Sequence, residues 1–136
     1  MSVSLATKVT PDLASLWHHA LKDVLAKRGG VALMATLRGP LGTDELLTDV
    51  VDSSSLWTYL EEGELKGFCV CRSGVVEAVY VAHGSRRQKI ATKLVRTVLE
   101  RDDAPVDAYA LPGDRGMKSL YESLGWKARL LTMRGA

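Results

Sequence analysis

Cysteine is nearly absent from this chain: Cys69 and Cys71 are the only two. Placed two residues apart on one strand, they share a face in a geometry poorly suited to a disulfide. A disulfide framework is therefore excluded, and the pair reads as small core residues of a reducing compartment. No companion Cys or His stands at metal-ligand spacing, which argues against a zinc site. His18 and His19 are adjacent on a helical pattern, about 100° apart, so they do not face one metal. Long apolar runs are missing too. None approaches the ~18 residues of a membrane span, and no charged-then-apolar leader opens the chain. The expectation is a cytoplasmic protein with no membrane partner. Neither sign of charge dominates: 18 Lys and Arg against 16 Asp and Glu leave +2, so any basic function is local. At 136 residues the chain is one domain, 1–136, with room for one core and one cleft.

What is present is strong periodicity. Val3, Leu5, Thr7 and Val9 alternate, predicting a strand over 3–9. Thr10 and Pro11 then open a helix whose stripe is Leu13, Leu16, Trp17, Ala20, Leu21 and Val24, stopped by Gly29-Gly30. Residues 31–37 are apolar without a decisive period, and 38–42 read as a turn. Thr43, Asp44 and Glu45 open another helix with Leu46, Leu47, Val50 and Val51 on its face. After the polar break 52–55, the segments 56–60, 65–71 and 75–81 read as an antiparallel meander. A helix with the stripe Ile90, Ala91, Leu94, Val95, Val98 and Leu99 follows. Next come a strand over 106–111, a helix opened by Asp114 and closed by Gly125, and a final strand over 126–133. This order predicts an α/β or α+β fold: a mixed, mostly antiparallel central sheet with helices on both faces.

The segment 77–95 is the most informative. A strand passes through a glycine turn into a helix start carrying Arg86, Arg87 and Lys89, at the helix end where cations are disfavoured. Free backbone N–H groups and the dipole make such a start an anion site. Either a phosphate sits among these cations or they splay into water. The helix lacks interleaved aromatics, so a nucleic-acid partner is not expected.

Three stretches resemble the Gcn5-related N-acetyltransferase (GNAT) superfamily, across almost the whole chain. The family's cofactor signature is Arg or Gln, two residues, Gly, one residue, then Gly or Ala. Arg86, Arg87, Gln88, Lys89, Ile90 and Ala91 fit its ends, with Lys89 in the central glycine position. Tyr121, three residues, Gly125 and Trp126 are similar to the family's common helix ending, and 110–117 to its strand-to-helix junction, with Asp114 where relatives often carry Asn.

The resemblance implies an acetyltransferase using acetyl-coenzyme A and an amine acceptor, with no metal. It implies that Arg86, Arg87, Gln88, Lys89, Ile90 and Ala91 cradle the pyrophosphate, that backbone near Val79, Val81 and His83 positions the thioester, and that Asp114 lies on the cofactor side. It also gives the Tyr121 hydroxyl the role of acid toward the departing thiolate; read alone, Tyr121 is a core aromatic. Lys89 either crowds the cradle or contacts phosphate itself. Glu77, two and four residues before Val79 and Val81, is expected on their face. It is either the general base or a salt-bridge partner. His83 ranks behind it for want of an orienting carboxylate in the sequence. No Gly-x-Ser-x-Gly elbow supports a hydrolase. The alternative is a non-catalytic acyl-coenzyme A-binding or protein-interaction module on the same fold. Asp44, Glu45, Asp49 and Asp52 either attract a cationic acceptor or form a solvated helix face. An exposed edge on the final strand would permit a homodimer.

Overall fold

The computed structural model describes residues 2–86, 89–101, 103–133 and 135. Five strands form one sheet in the order β1 (Ser2–Leu5), β2 (Leu56–Glu61), β3 (Glu64–Arg72), β4 (Val75–Val81) and β5 (Asp107–Ala108). The first four pair antiparallel, whereas β5 joins β4 in parallel. The expected mixed, mostly antiparallel sheet is thus present, with helices on both of its faces.

One face carries α1 (Pro11–Ala26), α2 (Gly30–Arg38) and α3 (Thr43–Asp52). Leu13, Leu16, Trp17 and Ala20 form the buried stripe that the 3.6-residue period demands, and they pack with Leu46, Leu47, Val50, Phe68, Val70 and Tyr80. Thr10 Oγ1 accepts the Leu13 N–H at 3.1 Å, so the cap legible in the sequence starts α1. The opposite face carries α4 (Ile90–Leu99) and α5 (Arg115–Ser123). Ile90, Leu94, Val95, Val98 and Tyr121 pack there on Tyr59, Cys69, Val76 and Val81. Gly67 lets α4 lie close: a Cβ there would stand 2.8 Å from the Tyr80 carbonyl oxygen and 3.4 Å from side-chain carbons of Ile90 and Leu94.

Three expectations need correction, and the segment left unassigned at 31–37 takes a definite form. The first strand covers only Ser2–Leu5, because its partner begins at Leu56; Ala6 makes one more bond, to the Leu56 carbonyl, and the chain then leaves for α1. Residues 31–37 belong to helix α2. Its buried positions Gly30, Met34 and Leu37 do have helical spacing, but Val31 is 67% exposed, and apolar residues on the outer face blur the pattern. The strand expected over 106–111 is reduced to Asp107–Ala108. The final strand is absent among the described residues of 126–133: Leu130 is 91% and Met133 82% exposed. Apolar alternation does not make a strand without an edge to pair with, and only Trp126 docks, its ring 5.8 Å from that of Tyr121.

Candidate active site

The site begins where β4 parts from β5. Their ladder spans Val75↔Asp107 and Val76↔Ala108, and the Tyr109 N–H closes it on the Val76 carbonyl at 3.0 Å. At that point β4 carries a bulge. Val76 faces Cys71 on β3 while Ala78 faces Val70, so Glu77 is an extra residue. The bulge reverses the alternation. Ala82 donates to the Lys66 carbonyl at 2.8 Å, and the antiparallel pattern gives Tyr80 and Ala78 the same direction toward β3. The N–H groups of Val79 and Val81 therefore point to the other edge, into the widening gap. Both residues expected to present backbone to a cofactor do face an open edge.

Glu77 was expected on the side-chain face of Val79 and Val81, and this is overturned. Val79 and Val81 pack with α4, whereas Glu77 lies with Ala78 on the α1–α3 face, because the bulge inserts one residue between them. There its carboxylate meets Arg72, with Nε 2.9 Å from Oε1 and the second guanidinium nitrogen 3.3 Å from Oε2. Arg72 also donates to the Leu37 carbonyl at 2.6 Å. Burial raises the Glu77 carboxyl above the usual carboxylate range, and Arg72 opposes that shift. A cavity of about 40 Å3 adjoins it, lined by Trp17, Val24, Met34, Leu37 and Val70 among others, with Glu77 the one charged side chain on its wall among the described residues.

On the opposite face, Tyr121 shares its core with Val76, Val79, Val81 and Ala108. Its hydroxyl is buried without a hydrogen-bond partner among the described residues. Burial raises its phenol well above the ordinary tyrosine value, reinforced by nearby Cys69, Asp114 and Cys71, so it stays protonated and able to donate. Gly125, with φ of 88°, turns the chain after α5, and the Trp126 N–H returns to the Tyr121 carbonyl at 3.0 Å. Asp114 caps α5 by accepting the Met117 N–H at 3.2 Å and pairs with Lys27 at 3.3 Å.

The gap leads to the basic helix start. Ile90 is buried in the core, so only its backbone is available there, along with that of Ala91. Lys89 stands at the N-cap with φ of 61° and ψ of 24°, a left-handed conformation that a side chain disfavours by about 1 kcal/mol. That is the position where the related signature has glycine. Arg87 and Gln88 lie outside the described residues. Arg86 turns inward: Nε donates to the Val81 carbonyl at 3.1 Å, a terminal nitrogen lies 3.3 Å from Asp23 Oδ2, and the guanidinium sits 5.3 Å from the Tyr80 ring centre.

Asp23 is the residue that the sequence reading missed. Its Oδ2 also meets the Tyr80 hydroxyl and His83 Nε2, each at 3.0 Å. His83 thus has the carboxylate partner that the sequence did not reveal, 60 residues away. Only the polar break in the stripe of α1, one turn before Lys27, hints at Asp23 in the sequence. The acidic residues of α3 do not converge on the gap. Asp44 pairs with His18 at 2.9 Å, Asp49 meets Arg72 at 3.5 Å, Glu45 accepts the Gly42 N–H at 3.0 Å, and Asp52 is exposed. Among the described residues no group of three or more His, Cys, Asp or Glu could hold a metal, and no helix is long and apolar enough to cross a membrane.

Solved acetyltransferase structures share this mixed sheet with helices on both faces over nearly the full chain. An aminoglycoside 6′-N-acetyltransferase from Acinetobacter haemolyticus is 12% identical with a TM-score of 0.61, covering 100% of this chain and 97% of that one. An aminoglycoside 6′-acetyltransferase bound to a bisubstrate analog, coenzyme A joined to monomethyl-acetylneamine, is 14% identical with a TM-score of 0.58, covering 99% and 97%. A ribosomal-protein-alanine N-acetyltransferase from Brucella melitensis is 15% identical with a TM-score of 0.53, covering 98% and 100%. At these identities the likeness is one of fold. No curated protein matches the chain in sequence. The acetyltransferase (GNAT) domain profile matches residues 18–132, and the chain belongs to that family.

Proposed function

We propose that this chain transfers the acetyl group of acetyl-coenzyme A to a primary amine. The observation that carries this reading is the buried Tyr121 hydroxyl, without a hydrogen-bond partner among the described residues, beside the open edge of β4. A buried hydroxyl without a partner costs about 1–3 kcal/mol. A bound thioester sulfur in the gap would give it one. The open edge and the helix start fit the same cofactor, the edge by offering two strand N–H groups to an extended arm and the helix by offering amides to a pyrophosphate. Membership of the family supports this choice, as does the presence of coenzyme A in complexes of an aminoglycoside acetyltransferase of similar fold.

The cofactor supplies an acyl carbon already activated toward nucleophiles. Val79 and Val81 orient it through their N–H groups, and the amides of Ile90 and Ala91 hold its phosphates. Lys89 lies beside them. Glu77, on the α1–α3 face, takes a proton from the incoming ammonium through water, its raised pKa bringing it closer to neutral pH. Arg72 fixes its orientation. Tyr121, on the other face, protonates the departing sulfur. Asp114 acts through α5, whose start it caps and whose position fixes Tyr121.

The test is titration of the purified protein with acetyl-coenzyme A, with adenosine as the phosphate-free control, followed by thiol release across an amine panel. Binding that requires the phosphates and thiol release with at least one amine are expected. Absence of binding at millimolar cofactor in a folded sample removes the reading. Binding without thiol release on any amine favours the non-catalytic module instead.

A further inference from the structure

The turn between β4 and α4 buries little apolar surface of its own. After Ala82 its described residues are His83, Gly84, Ser85, Arg86 and Lys89, and of these Ser85 alone is buried. A segment with so little packing takes its shape from polar ties. Three of those ties converge on one atom. Asp23 Oδ2, on α1, meets the Tyr80 hydroxyl at 3.0 Å, His83 Nε2 at 3.0 Å and a terminal nitrogen of Arg86 at 3.3 Å. The donors come from the end of β4 and from two points of the turn. Arg86 has a second anchor in the Val81 carbonyl, and its guanidinium carbon sits 5.3 Å from the Tyr80 ring centre. The guanidinium is therefore directed toward α1 and β4. Hydrogen bonds from Tyr80, His83 and Arg86 outweigh burial and hold the Asp23 carboxyl below its ordinary range.

We propose that Asp23 is a positioning residue for the cofactor: it fastens the turn after β4 to α1, with Arg86 as the brace of that turn instead of a phosphate ligand. This rests on the acetyltransferase reading. A preformed turn binds more tightly because less ordering is left to binding. The charge of Asp23 acts in the opposite direction. A carboxylate near a pyrophosphate site repels the ligand, so removing it would by electrostatics alone tighten binding. The two effects have opposite signs, and the sign of the change separates them.

The experiment is calorimetric titration of coenzyme A into the wild type, Asp23→Asn, Arg86→Gln, Arg86→Lys and the Asp23→Asn/Arg86→Gln double variant, at two salt concentrations. Asp23→Asn and Arg86→Gln should each weaken binding by about tenfold, the scale of a lost charge-assisted hydrogen bond. The double variant should be little weaker than either single one, because both remove the same contact. Arg86→Lys should not rescue binding, since an ammonium cannot span Val81 and Asp23 as the guanidinium fork does. Tighter or unchanged binding in Asp23→Asn overturns the proposal. So does rescue by Arg86→Lys together with a weaker salt dependence in Arg86→Gln, which would make Arg86 a phosphate ligand. Thermal melts of the unliganded variants control for folding. Should Asp23→Asn fail to fold, Arg86→Gln and Arg86→Lys, at a side chain 44% exposed, still decide the matter. A wild type that does not bind coenzyme A refutes the acetyltransferase reading itself, whereas a binding wild type with a tighter Asp23→Asn refutes only this inference.

Discussion

The two edges of β4 differ sharply. Toward β3 the strand is paired from Val75 to Val81; toward β5 it is paired at Val75 and Val76 only. The same backbone is structural on one side and available on the other. The bulge at Glu77 marks the change and also divides the side chains, Glu77 toward α1–α3 and Val79 and Val81 toward α4 and Tyr121. A strand whose two edges do different jobs can be probed one edge at a time.

The largest expected effect lies on the open side. Tyr121→Phe should slow acetyl transfer by about 10²–10⁴-fold in single turnover, as loss of a general acid does. It should leave stability unchanged or slightly raised, because it removes a buried hydroxyl that has no partner among the described residues. A transfer rate equal to wild type across pH would make Tyr121 a packing residue. Proline substitutions compare the edges directly. Ala78→Pro removes an N–H directed at β3 and should cost about 3 kcal/mol or more in denaturant unfolding. Val79→Pro removes one directed at the gap, so it should cost clearly less stability while weakening acetyl-coenzyme A binding. Equal losses of stability would erase the distinction.

A smaller effect is expected at the mouth of the gap. Lys89→Gly relieves a left-handed side-chain residue and should stabilise the protein by about 1 kcal/mol, read as a rise in Tm. It should also tighten cofactor binding if the lysine only crowds the cradle. Weaker binding with reduced salt dependence would show its ammonium on phosphate. The smallest effect is acid sensitivity. Because the Asp23 carboxyl is depressed in the folded state, its stabilising contribution is present above its ordinary value of 3.8 and is lost as pH falls through the folded value. Wild type should therefore lose its stability advantage over Asp23→Asn below about pH 4 in urea titrations. A constant difference between the two from pH 3 to pH 7 would contradict the shift.

Much of the fold was legible because its signals are local. Thr10, Asp114 and Gly125 mark helix ends through bonds to neighbours within a few residues. The stripes of α1, α3 and α4 repeat at the helical period, and the alternating segments of β2 to β4 lie one turn apart. The last segment misled for the converse reason. Residues 126–133 have strand-like composition, but a strand also needs a partner, and partnership is not a local property.

The site divides along the same line. Sequence alone determined the basic helix start and the Tyr121-to-Gly125 spacing, since each depends on residues close together in the chain; the family resemblance supplied Val79 and Val81 as backbone candidates. Tertiary structure decided which face Glu77 takes, because a single extra residue opposite Val70 and Cys71 reverses a period of two. It also brought Asp23 to His83 and Arg86 from 60 and 63 residues away, a meeting that depends on how α1 lies across the sheet. The left-handed conformation of Lys89, at the start of a helix whose Ile90 and Leu94 pack close to Gly67, was likewise visible only in the folded chain. Period and capping are short-range; strand register and inter-element contacts are long-range, and only the folded chain sets them.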